Sequence, residues 1–138
     1  MARIVSIDYG KKRVGLAVTD PQQIIATGLT TVASKDIFVF LSDYCKKEKV
    51  ELFVVGHAKQ MNNTDSESMQ FIKPFVVKLK QTLDIPVEMY DERFTSKMAF
   101  QTMIDGGLKK KDRQNKALVD EISAVIILQS FLESKSKF

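Results

Sequence analysis

Cysteine is almost missing from this sequence: Cys45 is the only one in 138 residues. A single thiol builds neither a disulfide framework nor a thiolate zinc site. It falls in a helical pattern beside Lys46 and Lys47, where a structural role is the ordinary reading. Histidine is as scarce, with His57 alone. Long apolar runs are absent too. No stretch approaches the ~20 residues of a membrane-spanning helix, and the N-terminus shows no signal-peptide hydrophobic region. The expectation is a cytoplasmic protein that does not engage a membrane. Internal repeats are lacking, and low complexity is confined to a lysine-rich loop at 109–116 and a tail at 134–137.

What is present suits an ordinary globular chain. Hydrophobic residues make up 44% and charged residues 28%, with length for one core and not for two. A single domain over residues 1–133 is expected, with 134–138 a frayed tail. Lys and Arg outnumber Asp and Glu by 21 to 17, a net charge of +4. That excess suits phosphate-rich partners but is weak evidence alone. Its distribution says more: Lys11, Lys12 and Arg13 form one cluster, and Lys109, Lys110, Lys111, Arg113 and Lys116 form another. Each also reads as a solvated loop when taken singly.

Residues 3–8 and 14–19 read as strands joined by a turn in which Gly10 is free to take a positive φ. A third strand is expected around Thr27–Val32. Ser34 then caps a helix carrying Ile37, Phe38, Phe40, Leu41 and Tyr44, with Lys46–Lys49 at its end. Leu52–Val55 reads as a buried strand stopped by Gly56. Thr64 to Glu67 has capping-box spacing and starts a helix reaching about Leu83, in which Pro74 introduces a kink or a new segment. Val87–Tyr90 is a short strand. A helix from Thr95 stops at Gly106–Gly107, and a last helix spans about Lys116 to Glu133. The order is βββαβαβαα. Three strands in a meander, followed by strands reached through helices, give a mixed five-stranded sheet with helices on both faces.

Three acids stand out by placement. Asp8 ends the first strand, in Ile4-Val5-Ser6-Ile7-Asp8-Tyr9-Gly10. An acid among strand residues is expensive to bury without a partner. Glu92 follows the strand Val87–Tyr90, and Asp120 lies in the last helix with Ala124 as its i+4 neighbour. A small residue there lets that helix face approach the sheet. Parallel strands gather their C-terminal ends on one sheet edge, where α/β sites collect. Hard cations such as Mg²⁺ and Mn²⁺ want the oxygen ligands this trio offers. Two such ions roughly 3.5–4 Å apart can activate water and stabilise a leaving oxygen in phosphodiester hydrolysis. Surface salt bridges would explain Glu92 or Asp120 about as well when each is taken alone.

These segments together resemble the YqgF (RuvX) family of pre-16S rRNA nucleases, related to Holliday-junction resolvases. The resemblance rests on Asp8-Tyr9-Gly10-Lys11-Lys12-Arg13-Val14-Gly15-Leu16-Ala17 and on Val54-Val55-Gly56. Asp91-Glu92-Arg93-Phe94-Thr95 and the run from Asp120 to Gln129 complete it. The first and last pieces are specific, and the pieces run in order over nearly the whole chain. The resemblance implies an RNase H-like fold, a metal site of Asp8, Glu92 and Asp120, and phosphodiester cleavage at the 5′ end of pre-16S rRNA.

One departure stands out. The family usually continues Gly-Leu-Pro after the fourth strand, with Asp-Gly further on; here the chain reads Gly56-His57-Ala58-Lys59-Gln60-Met61-Asn62-Asn63. His57 could assist proton transfer or hold a phosphate near the metals. The plainer reading has it filling the space of the usual leucine. Arg13 and Arg93 each neighbour a proposed ligand and suit phosphate through their forked donors, or orient a carboxylate. Lys116, one turn before Asp120, could reach a backbone phosphate.

Nucleic acid is therefore the expected partner, with structured RNA first and a DNA junction second. The junction version would call for a two-fold homodimer. A non-catalytic RNA-binding assembly factor on the same fold is the rival from another class. Three retained acids weigh against it, since carboxylates repel phosphates unless metals intervene. An actin-like kinase start at Asp8-Tyr9-Gly10 is set aside, because that fold needs a second, similar domain.

Overall fold

A computed structural model describes residues 2–10, 12–57, 69–91 and 116–136; within them the side chains of residues 57, 69, 71, 91, 116–120 and 135–136 are not described. Strands β1 (Arg3–Tyr9), β2 (Arg13–Thr19) and β3 (Ala26–Ala33) come first. Helix α1 (Ile37–Lys47), strand β4 (Val50–His57), helix α2 (Met69–Leu83), strand β5 (Val87–Asp91) and helix α3 (Lys116–Ser136) follow. The sheet has five strands in the order β3-β2-β1-β4-β5. The first three are antiparallel neighbours, while β4 joins β1 in parallel and β5 joins β4 in parallel. This is the mixed sheet that the meander and the helical crossovers imply.

Strand alternation sorts the apolar residues onto two faces. Val5, Ile7, Val14, Leu16, Phe53 and Val55 meet Ile37 and Leu41 of α1 and Phe75 and Leu79 of α2. Ile4, Ala17 and Val54 meet Ala124, Ile127, Leu128 and Phe131 of α3. The sheet is thus a middle layer between α1 and α2 on one side and α3 on the other. Among the described residues no helix is long and apolar enough to cross a membrane.

Several boundaries differ from the sequence reading for local reasons. Ser34 does not cap α1: Ser34–Asp36 form a 3₁₀ turn, and Asp36, at the N-cap of α1, makes no side-chain cap bond. The Ser34 N–H instead donates to the Lys12 carbonyl at 3.0 Å, so the chain is still tied to the sheet at that point. Pro74 lies inside α2, which continues past it, so no new segment begins after Lys73. Helix α3 extends to Ser136, three residues past Glu133. Gly10 is needed for a different reason than handedness. Its φ lies outside the positive range, and a Cβ there would sit 2.8 Å from the Arg13 carbonyl oxygen. The capping box at Thr64–Glu67 and the helix from Thr95 lie outside the described residues.

Candidate functional site: the carboxylate end of the sheet

The site is best built from β1. Ser6 and Asp8 share the parity of Ile4, which packs in the α3 cluster, so the Asp8 carboxyl belongs to the α3 face. Across the ladder Asp8 pairs with Gly15, which has no side chain, and the next strand pair is Tyr9 with Val14. Arg13 opens β2 with the parity of Gly15 and Ala17, the latter buried in the α3 cluster. It is therefore a diagonal neighbour of Asp8 on the same face, a relation that spans about 7–8 Å between backbones. On the other flank the parallel ladder advances from Ile7 beside Val55, and β4 carries Gly56 next. Gly15 and Gly56 therefore add no side chain of their own beside Asp8.

Helix α3 is fixed against this strand by one buried bond. The Ser6 hydroxyl donates to the Ala124 carbonyl at 2.5 Å, and Ser6 and Ala124 are both fully buried. A strand hydroxyl reaches a helix backbone only where side chains are small, as Ser6, Ala17 and Ala124 are. Two further contacts give the helix direction. A Cβ on Gly28 of β3 would lie 3.0 Å from Glu121 Cγ. Ile24 and Ile25, just before β3, and Ala26, its first residue, line a cavity of about 260 Å³ with Gln129, Leu132 and Glu133. As β3 advances, α3 is met at ever earlier residues, so α3 runs antiparallel to β3 and to β1.

A level follows from elementary geometry. Moving from Ser6 to Asp8 along β1 advances about 6.7 Å. Moving from Ala124 back to Asp120 along α3 advances about 6 Å in the same direction. The backbones of Asp8 and Asp120 therefore stand at the same height at one end of the sheet, one turn beyond the Ser6–Ala124 anchor. Lys116, the first residue of α3, lies a further turn out toward that end.

β5 completes the edge. Tyr90 pairs with Gly56 and Asp91 with His57. Tyr90 sits on the α3 face, its ring edge-on to Phe131 at 6.2 Å. His57 is the last residue of β4, at the same edge as Asp8; its side chain is among those not described. Glu92 and Arg93 lie outside the described residues. Among the described residues no group of three His, Cys, Asp or Glu side chains comes together; Asp8 is the one member of the acid trio whose side chain is described.

Reading the sequence missed Ser6 and Tyr90. The signal for Ser6 was a hydroxyl at a buried parity inside Ile4-Val5-Ser6-Ile7, which calls for a specific acceptor. At the far end of the sheet the β2–β3 turn is organised by Asp20, whose Oδ1 accepts from the N–H groups of Ile24 and Ile25, each at 2.8 Å. Those bonds, Ile25 first, hold the Asp20 carboxyl below its ordinary range. This acid is a turn builder remote from Asp8.

Comparison with known proteins adds an independent finding. The family described as "RuvX: Holliday junction resolvase" matches residues 2–134. A protein of Phocaeicola vulgatus named "Putative pre-16S rRNA nuclease" is 65% identical over 136 residues, covering 98% of each chain. One of the same name from Porphyromonas gingivalis is 54% identical over 138 residues, covering 99% of this chain and 100% of its own. Among solved structures, T. thermophilus RuvC in complex with a Holliday junction substrate superposes with a TM-score of 0.59 at 16% identity, over 99% of this chain and 96% of that one. The fowlpox virus resolvase in complex with Holliday junction DNA gives 0.58 at 15% identity, over 96% and 98%. Likeness at that identity establishes the RNase H-like fold.

Proposed function

This chain belongs to the RuvX family, and from that premise we propose a metal-dependent nuclease that processes the 5′ end of precursor 16S rRNA. Asp8, Glu92 and Asp120 form its carboxylate set. The observation that supports this most is the shared height of Asp8 and Asp120, set by the Ser6–Ala124 bond. Glu92 comes directly after β5 in the sequence, and Tyr90 of that strand faces α3.

The donor set suits a hard divalent cation. It is all oxygen, and Gly15, opposite Asp8 across the ladder, brings no side chain to that position. Mg²⁺ and Mn²⁺ both accept such ligands. A bound ion would supply Lewis-acid stabilisation of the charge that develops on the phosphoryl oxygens.

The protein's own residues do the remaining work. Asp8 and Asp120, on two different elements, hold the reacting phosphate's counter-charge in a fixed place, because β1 and α3 are locked by packing and by one bond. Arg13 binds non-bridging phosphate oxygens through its forked donors. Arg93 and Lys116 extend that contact along the substrate. His57 holds a phosphate or fills local space; substituting it with leucine separates the two roles.

The test is cleavage of a 5′-extended small-subunit rRNA precursor by purified protein in Mg²⁺ or Mn²⁺, beside Asp8→Asn and Asp120→Asn. Metal-dependent cutting lost in both variants is the expected result. Cutting that survives either substitution would remove that acid from the site. Cutting of a four-way DNA junction but not of the precursor would replace the substrate assignment.

A further inference from the structure

The nuclease reading leaves open how a long substrate strand leaves the carboxylate end. One side of that rim carries a continuous basic edge. Arg13 pairs with Ala33, so the start of β2 and the end of β3 stand together. The Gly10 N–H donates to the Arg13 carbonyl at 3.0 Å, and the Ser34 N–H donates to the Lys12 carbonyl at 3.0 Å. The first bond closes the β1–β2 turn, and the second ties that turn to the 3₁₀ turn Ser34–Asp36. Lys12 and Lys35 are both exposed on these turns. From Asp8 on β1 to the β3 end is two strand spacings, about 10 Å. Measured along the axis of a duplex, that distance corresponds to about three phosphates of one strand.

We propose that this rim, through Arg13, Lys12 and Lys35 in that order outward from Asp8, is the exit track for one RNA strand. The proposal rests on the nuclease reading and extends it to residues beyond the carboxylate site. The turns bearing these cations are braced by backbone bonds, so the backbone positions that carry the charges are set before substrate arrives. Asp36, exposed beside Lys35, is the one acid on the turn and opposes phosphate there. Helix α1 carries its other basic pair, Lys46 and Lys47, in its last turn. That turn leads into β4 at Val50, beside Arg3 at the opposite end of the sheet, so these lysines lie off the track.

The test uses the full chain carrying Asp120→Asn, to suppress cutting, and a labelled precursor-rRNA fragment titrated at several salt concentrations. Lys35→Gln should weaken binding by about fivefold near physiological salt, with the salt slope reduced by about 0.7–0.9 for one lost phosphate contact. Lys12→Gln should act alike. Asp36→Asn should tighten binding about twofold, and Lys46→Gln should change nothing. Unaltered affinity and slope in Lys35→Gln, an equal loss in Lys46→Gln, or weaker binding in Asp36→Asn would each overturn the track. Cutting of the precursor by wild-type protein while Lys35→Gln binds normally overturns the track alone. Wild-type protein that neither binds nor cuts the precursor overturns the track and the nuclease reading together.

Discussion

Removing the Ser6 hydroxyl tests how α3 is held on the sheet. Ser6→Ala deletes the donor to the Ala124 carbonyl, a buried bond of 2.5 Å between residues 118 apart in sequence. The volume lost is a single oxygen, so no cavity contribution arises. Ala124 lies within the 21-residue helix α3, where its carbonyl keeps a helical partner one turn on. The acceptor is therefore not stranded, and the cost stays near the net value of one hydrogen bond, about 1 kcal/mol. For a domain of this size that is about 3–5 °C in Tm. Leu128→Ala in the same interface, where Leu128 is fully buried, should cost about 2–5 kcal/mol through lost burial and a cavity. Urea unfolding of the three proteins, read by far-UV circular dichroism, gives both differences. A Ser6→Ala protein as stable as its parent would mean the bond contributes nothing to docking α3. A loss above about 3 kcal/mol, the upper bound for a stranded buried group, would mean the hydroxyl does more than this one contact.

Two further predictions follow from local geometry. Gly10→Ala should destabilise the chain by about 1–3 kcal/mol, because the new Cβ meets the Arg13 backbone carbonyl at 2.8 Å; Gly28→Ala should cost less, since the Glu121 side chain it meets can rotate. Thermal melts of both variants check the order. The Asp20 carboxyl is held below its usual value of 3.8 by the Ile25 and Ile24 N–H groups. Its folded value is depressed, so its contribution to stability is present above the unfolded value and is lost as pH falls through the folded one. Wild type and Asp20→Asn should therefore differ in stability at pH 6 and converge toward pH 2, and a gap that widens on acidification would refute the assignment.

Much of the fold was legible because the chain's patterning is unambiguous. Alternation across Ile4–Asp8 and Val14–Thr19 separates two faces, and the helical spacing from Ile37 to Tyr44 marks a surface helix. Both faces appear in the structure with those residues. The start of α1 was misread because Ser34 suits an N-cap by residue type, whereas a backbone bond to Lys12 decides its place. Such a bond between residues of different elements leaves no trace in local spacing. The reason for Gly10 was likewise invisible, since a close carbonyl and a left-handed φ both select glycine. At the site, the placement of Asp8 at a strand end was readable from one segment. The height of Asp120 was not, because it depends on the Ser6–Ala124 contact. Placement and oxygen-ligand chemistry suggested the trio, and the family resemblance then joined Asp8 to Asp120 in one site before the fold was known.

In the proposed site, β1 and α3 bring Asp8 and Asp120 to one cation. Calorimetric titration of the apo protein with Mn²⁺ tests it directly, without substrate or turnover. Asp8→Asn and Asp120→Asn should each weaken Mn²⁺ binding at least tenfold. Glu121→Gln should leave it unchanged, because Glu121 packs against Gly28 on β3. Loss of binding in Glu121→Gln with retention in Asp120→Asn would contradict the account, since it would turn the other face of α3 toward Asp8.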